Sequence, residues 1–412
     1  MRIRDIMNGS RRRRRPRHDV VFYTPLIGSM LTMPPGLSRG GTETQVLILA
    51  PALARLGAEV AIIVFDPGSE IPLEIDGVRI STRLPHVTGR GIRGKAVEVT
   101  RIWNSLRRVR PRTIIHYGAG LELGVIALYA RLTRRRLVYA SASEKDFDYR
   151  AKEPNRLYCL LFELGVRLAD TIVVQTEEQV ELCRTVFARK SVVIKSFAPA
   201  PRRQRDAPVA FLWVGRLVSF KRPLEYVALA RALPEAKFWM VGVPIPHQES
   251  DRLVMEAVLE ECRSIPNLEL LPPRPHRELQ SLMERAVASV STSEFEGMPN
   301  VLLEAWSRGV PALVLSYDPG GVVSTYGLGG FAAGSRARFA ALARDLWLTR
   351  DDRAELSQRC RAYIQAHHAP ETVAAQWYEL LHSTKPSGAT ETGTPGNEPA
   401  TSHGEAMAAS SS

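Results

Sequence analysis

Apolar and polar positions alternate along this chain in two blocks of the same kind. The first block opens at His18 with Val20, Val21, Phe22 and Tyr23, a short apolar run of strand character. A Gly- and Pro-rich loop follows, then an apolar helical run from Gln45 to Leu56 closed by Gly57. Glu59–Phe65 reads as a buried strand. Thr113–Tyr117, Leu137–Ala140 and Thr171–Val174 repeat that signal, with helical runs between them. Strands alternating with helices predict a parallel sheet covered on both faces. A polar, Pro-rich break at 198–207 interrupts the pattern, which then starts again. Ala210–Val214, Lys237–Val241, Leu268–Leu271, Ala288–Ser291 and Ala312–Leu315 read as strands, Leu224–Leu233 as a helix, and Arg338–Leu381 as largely helical. The expected organisation is a basic disordered arm (1–17), one α/β domain (18–200), a second (205–370), a closing helix (371–383) and a disordered tail (384–412) rich in Gly, Ser, Thr, Ala and Pro.

Composition narrows the class. At 412 residues the chain is long enough for two domains, and its 45% apolar content supports a core in each. No run of about 18 apolar residues occurs, so no transmembrane helix is expected. The basic N-terminus leads into no apolar signal segment, and a cytoplasmic location is expected. Cys159, Cys183, Cys262 and Cys360 are scattered, without the spacing of a zinc site or a disulfide framework. The net charge of +12 is uneven: residues 1–17 contribute +7 and the tail from Lys385 contributes −2. No nucleic-acid recognition motif accompanies the basic arm, so nucleic acid is not an expected partner. Anionic lipid headgroups attract such runs by about 1 kcal/mol per basic residue.

The densest chemistry lies at 293–311, Ser-Glu-Phe-Glu-Gly-Met-Pro-Asn-Val-Leu-Leu-Glu-Ala-Trp-Ser-Arg-Gly-Val-Pro. Pro299 suits the first position of a helix, where its missing N–H is not needed. Leu302, Leu303, Ala305 and Trp306 continue that helix with an apolar face, and Gly309 and Pro311 end it. Glu296 then sits in the loop and Glu304 inside the helix, roughly 7.5 Å along its axis. Free N–H groups at the helix start attract phosphate. A ligand with phosphates in its middle and hydroxyls at both ends fits this order of charges, and a nucleotide sugar is such a ligand. Val214-Gly215-Arg216-Leu217 ends the first strand of the second block, where ligands of open α/β sheets bind. Arg216, through its fork, and Lys221, as a point charge, suit a diphosphate. Gly40-Gly41-Thr42-Glu43 opens the first long helix and permits close backbone approach. Gly320 and Gly321 are further candidates for a pocket wall. Each signal taken alone also describes an ordinary solvated helix or turn.

Together they resemble the Glu-x7-Glu and Gly-Arg-Leu-x-x-x-Lys segments of family 4 glycosyltransferases, which have the GT-B fold, two Rossmann-like domains facing each other across a cleft. Gly297, Pro299, Glu304, Ala305, Gly309 and Pro311 match at the family's offsets. The resemblance implies that Glu296 contacts the donor sugar, Glu304 the ribose, and Arg216 and Lys221 the diphosphate. It assigns catalysis to Glu296, Arg216 and Lys221, and donor binding also to Gly41, Gly215, Gly297, Met298, Pro299 and Asn300. It implies transfer of a sugar, with retention, from a nucleotide-diphosphate sugar to a glycan or lipid-linked acceptor, in bacterial polysaccharide or glycolipid assembly. No metal or other cofactor is expected, and the leaving phosphate takes the acceptor proton. The last helix of such proteins often crosses back to the first domain, which Pro370–Leu381 is placed to do.

The first half departs from the family pattern. Many members carry a His after the strand corresponding to Leu137–Ala140, facing the donor sugar; this chain reads Ser141-Ala142-Ser143-Glu144-Lys145-Asp146-Phe147-Asp148. Asp146 or Asp148 is then expected to face the acceptor. His116, at a strand end, is a further candidate for the acceptor side, and a satisfied structural histidine is the other reading. Asp146-x-Asp148 also has metal-binding spacing, but Arg216 and Lys221 already answer the diphosphate charge and no His set completes a site. Basic clusters at 107–112 and 131–136 suggest peripheral contact with the inner face of the cell membrane. Two rival readings are a Rossmann-type oxidoreductase, whose Gly-x-Gly-x-x-Gly is lacking, and a catalytically weak GT-B-like nucleotide-sugar-binding or scaffold protein, which the missing His allows.

Overall fold

The computed structural model describes residues 17–32, 41–66, 70–85, 92–152, 155–201, 207–243 and 249–383. Residues 1–16 of the basic arm, Gly40 of the glycine pair, linker residues 202–206 and the tail from 384 lie outside these.

The first sheet holds β1 (His18–Tyr23), β2 (Val60–Asp66), β3 (Glu74–Ile75), β4 (Val78–Pro85), β5 (Pro111–Tyr117), β6 (Arg136–Ala140), β7 (Thr171–Val174) and β8 (Val192–Val193). Their order is β3-β4-β2-β1-β5-β6-β7-β8, parallel throughout except for β3 against β4. The second sheet holds β9 (Ala210–Arg216), β10 (Phe238–Val243), β11 (Leu268–Leu271), β12 (Ala286–Ser291), β13 (Ala312–Val314) and β14 (Gly329–Phe331). Its order is β11-β10-β9-β12-β13-β14, all parallel. This is an α/β architecture of two parallel-sheet domains, the GT-B arrangement.

Helices cover both faces of each sheet, so the inner strands are largely apolar on both sides rather than at every second position. In β1, Val21 and Tyr23 enter the core on one side, and Val20 and Phe22 enter the core on the other. Local capping sets several helix starts. Asn155 accepts from Leu157 N, Thr176 from Gln179 N and Ser335 from Arg338 N.

The helix around Glu304 runs Asn300–Ser307. Pro299 stands just before it, at φ −66° and ψ 121°, rather than at its first position. The residue before a helix takes an extended ψ, and a fixed proline φ is compatible with that too.

The chain crosses between the domains twice. Ala198 N donates to His368 O at 3.0 Å where the crossings meet. The last helix, Pro370–His382, buries Val373, Ala374, Trp377 and Leu380 in one core with Val20, Phe22, Val46 and Leu49 of the first domain. Arg136 Nη1 donates to Leu381 O at 3.2 Å. Among the described residues no helix is long and apolar enough to cross a membrane.

Candidate functional site

The C-terminal ends of β9 and β12, neighbours at the centre of the second sheet, deliver the first group of side chains. After Arg216 the chain makes the tight turn Ser219–Lys221, which buried partners fix in place. Trp213 Nε1 donates to Thr292 Oγ1 at 3.0 Å, and the Thr292 hydroxyl donates to the Lys221 carbonyl at 2.6 Å. Asp251 Oδ1 accepts from Ser219 N at 3.0 Å and from its hydroxyl at 3.1 Å. So held, the Lys221 ammonium donates to Glu296 Oε1, which also accepts from Ser293 Oγ at 2.9 Å. The pair is largely withdrawn from solvent, with side-chain exposures of 20% and 16%.

Glu304 lies one turn inside the helix Asn300–Ser307 with its side chain mostly buried. Burial pushes its carboxyl up from the usual range, against the opposing charges of His276, whose Nδ1 is 4.0 Å away, and of Arg308. Arg308 is itself buried, and its Nη1 donates to the Glu304 carbonyl at 3.0 Å. Gly309 ends the segment at φ 76°, which favours glycine.

The first domain closes against this loop. Met298 N donates to Gln175 Oε1 at 3.4 Å, and a Cβ on Gly297 would lie 2.8 Å from the Ala142 carbonyl oxygen. Gln45 donates from Nε2 to Asn300 Oδ1 at 2.8 Å and to Phe197 O at 3.1 Å, and accepts from Phe197 N at 2.7 Å. Asn300 Nδ2 in turn donates to Gly41 O at 3.2 Å. Tyr317 OH donates to Glu144 across the same cleft. Glu43 is buried in the first turn of the helix Gly41–Arg55; burial pushes its carboxyl up, and the Arg216 charge opposes that. Gly215 backs onto Trp213, whose ring would stand 3.1 Å from a Cβ there. Gly320, at φ 62°, faces the Thr176 side chain of the first domain.

The structure therefore brings Arg216, Lys221, Glu296, Gly297, Met298, Asn300 and Gly41 to one cleft, with Glu304 a turn deeper. Sequence reasoning missed Gln45, Gln175 and Tyr317. Their contacts join residues 255, 123 and 173 positions apart, and no local pattern signals that. Glu43 lies within the Gly-Gly-Thr-Glu run but carries no separate signal.

On the acceptor side the expectation for Asp146 is corrected, and His116 takes a structural place. Asp146 is buried, and its Oδ2 accepts from Ala142 N at 2.7 Å, Tyr139 OH at 3.1 Å and Ser141 Oγ at 3.2 Å. That carboxylate holds the loop after β6 together instead of facing an acceptor. His116 is buried on β5 with Nε2 3.9 Å from Glu122 Oε1, and burial pushes its imidazole down. It is a buried residue of the sheet rather than a cleft group. Asp148 is exposed. Among the described residues no group of three or more His, Cys, Asp or Glu side chains is placed to hold a metal ion.

Residues 40–195 match the glycosyl transferase 4-like domain, and residues 196–367 match the domain of glycosyl transferases group 1. A search of curated proteins returns no significant match. Among solved structures, sucrose-phosphate synthase from Thermosynechococcus elongatus superposes with a TM-score of 0.70 at 17% identity, over 88% of this chain and 98% of that one. Anabaena HepE in complex with UDP-glucose gives 0.65 at 15% identity, over 88% and 99%. WaaG, a glycosyltransferase involved in lipopolysaccharide biosynthesis, gives 0.63 at 14%, over 88% and 99%. With both halves of its architecture matched in order across residues 40–367, the chain belongs to the group 1, family 4-type glycosyltransferases of GT-B fold, enzymes of nucleotide-sugar-dependent glycosyl transfer.

Proposed function

We propose that this enzyme transfers a sugar, with retention of configuration and without a metal ion, from a nucleotide-diphosphate sugar to a hydroxyl of a glycan or lipid-linked acceptor. The observation that carries the reading is the Lys221–Glu296 pair, set beside Arg216 and the open start of the helix Asn300–Ser307. A diphosphate is a richer anion than one carboxylate. It would draw Lys221 and Arg216 to itself, with backbone N–H groups at the helix start adding to them. Glu296 is then released to accept hydrogen bonds from the sugar hydroxyls. Glu304, disfavoured as a buried anion, gains from the two hydroxyl donors of a ribose. The same cations stabilise the diphosphate as it leaves, and a phosphate oxygen takes the acceptor proton. Contact between the cleft walls excludes water and so suppresses hydrolysis.

A membrane-bound acceptor suits the outer face of the first domain. Arg131, Arg134, Arg135 and Arg136 line a cavity of about 530 Å³. Leu128, Leu132, Leu157 and Leu160 stand exposed on the neighbouring helices Glu122–Thr133 and Arg156–Leu168. Peripheral contact with anionic lipid follows, and flotation with liposomes that ignores anionic lipid content would count against it.

The experiment for the function is release of nucleoside diphosphate from a panel of nucleotide sugars, UDP-glucose among them, with Glu296→Ala as control. Release that the substitution abolishes supports transfer. Binding without release for any donor, in the presence of extracted lipid acceptors, favours a nucleotide-sugar-binding scaffold instead.

A further inference from the structure

The loop after β6 carries one cation that the donor reading leaves unused. Asp146 clamps this loop through Ala142 N, Tyr139 and Ser141, and the turn Glu144–Asp146 thereby aims Lys145 across the cleft. Its ammonium stands 3.5 Å from the ring centroid of Phe295 and 5.2 Å from that of Phe220. The two rings are stacked, 4.9 Å between centroids with 17° between planes. Glu294 N donates to Phe220 O at 3.0 Å, tying together the loops that bear them. Arg216 and Lys221 lie 5.8 Å and 5.7 Å from the same Phe220 ring. Three cations, two from one domain and one from the other, thus surround one aromatic pair directly beside Glu296.

We propose that Lys145 is a donor-binding residue supplied by the first domain, the third cation on the diphosphate. The inference rests on the donor reading above and extends it to the opposite wall. Like charges gathered in a partly dry cleft repel one another, and a bound polyanion converts that repulsion into attraction. The ring faces hold the ammonium in place through their negative quadrupole and accept no proton from it. Lys145 reaches the site only while the two domains are in contact. Its bond to the diphosphate therefore makes closure favourable when donor is bound, which couples closing to occupancy. The basic side chain stands in the segment where a histidine was expected from the resemblance, so the first domain still contributes a hydrogen-bond donor to the cleft.

The test is titration calorimetry of the full chain with inorganic pyrophosphate and with UDP, ADP and GDP, on the wild type, Lys145→Met, Lys145→Arg and Arg216→Ala. The expected result is that Lys145→Met weakens both pyrophosphate and the preferred nucleoside diphosphate about tenfold, while Lys145→Arg stays within about threefold. In turnover, KM for the donor rises in Lys145→Met and falls back in Lys145→Arg. If Lys145→Met binds like the wild type while Arg216→Ala loses affinity, Lys145 has no role and the donor site stands. If Lys145→Arg loses as much as Lys145→Met, the charge is not what matters, and the inference again fails. If Arg216→Ala leaves affinity intact, the donor site itself is wrong. Should Lys145→Met fail to melt cooperatively, Lys145→Gln answers the same question.

Discussion

The Lys221 ammonium rests against the Glu296 carboxylate, 75 residues away in sequence, and each is delivered from the end of a different central strand. Removing one partner leaves the other as an unanswered charge in a confined site. Lys221→Ala and Glu296→Gln are each expected to lower kcat about a hundredfold. With donor bound the two residues contact different groups, the diphosphate and the sugar, so their losses in kcat are expected to add. A double-mutant cycle on kcat reads the coupling, and a double substitution no worse than either single one would show that the pair stays together in the donor complex.

At Gly297 the two walls approach with no room for a side chain. A Cβ there would press to 2.8 Å from the Ala142 carbonyl oxygen, which is backbone and has little freedom to move. Gly297→Ala is expected to hold the walls apart, with kcat reduced about a hundredfold and the melting temperature nearly unchanged, since displacement of reacting groups by an ångström has that effect. Steady-state kinetics beside a thermal melt checks it. A fully active variant would show that the cleft works without this contact.

His368 locks the crossing between domains. Its Nδ1 is 2.7 Å from Ser196 O, a carbonyl that can only accept, so Nδ1 carries the proton and Nε2 accepts from Tyr363 OH at 3.2 Å. Burial pushes this imidazole down to about 3. The unfolded chain takes up a proton near pH 6.5 and the folded chain does not until near pH 3, so this group's stability contribution is present above 6.5 and lost as pH falls through that window. Within it the contribution declines by about 1.4 kcal/mol per pH unit. Urea unfolding at several pH values should show a shallower acid slope in His368→Gln than in the wild type. Parallel slopes would mean that His368 is protonated in the folded protein.

Trp377 belongs to the last helix but packs in the first domain, buried, with its ring 6.1 Å from that of Tyr117. Trp377→Ala is expected to lower unfolding stability by about 3–5 kcal/mol, as for other large-to-small changes in a core. Chemical denaturation measures it, and a loss below about 1 kcal/mol would mean that the helix is only loosely held.

What could be read in advance follows from where information resides in a chain. β7 shows its full extent, Thr171–Val174, because a strand inside a covered sheet is largely apolar and ends at polar residues, while the edge strand β11, Leu268–Leu271, is legible from its three leucines although Glu269 is exposed. β14 gave no sign, since Gly329 and Gly330 make up most of it and its pairing with β13 comes from tertiary context. The Glu-x7-Glu helix was legible through its proline start and glycine stop. The first-domain wall was not. Asp146 looked like an exposed acid in a polar loop, yet its carboxylate satisfies N–H and O–H groups on Ala142, Tyr139 and Ser141, which only the folded loop brings together. Gln45 and Gln175 look like solvated amides until the second domain arrives.

A crystal structure with donor bound measures directly where the nucleotide sugar sits. It should place the diphosphate within hydrogen-bonding distance of Arg216 and Lys221, the ribose on Glu304 and the sugar on Glu296. A nucleotide bound elsewhere, or with its phosphates turned away from Arg216 and Lys221, would contradict this placement.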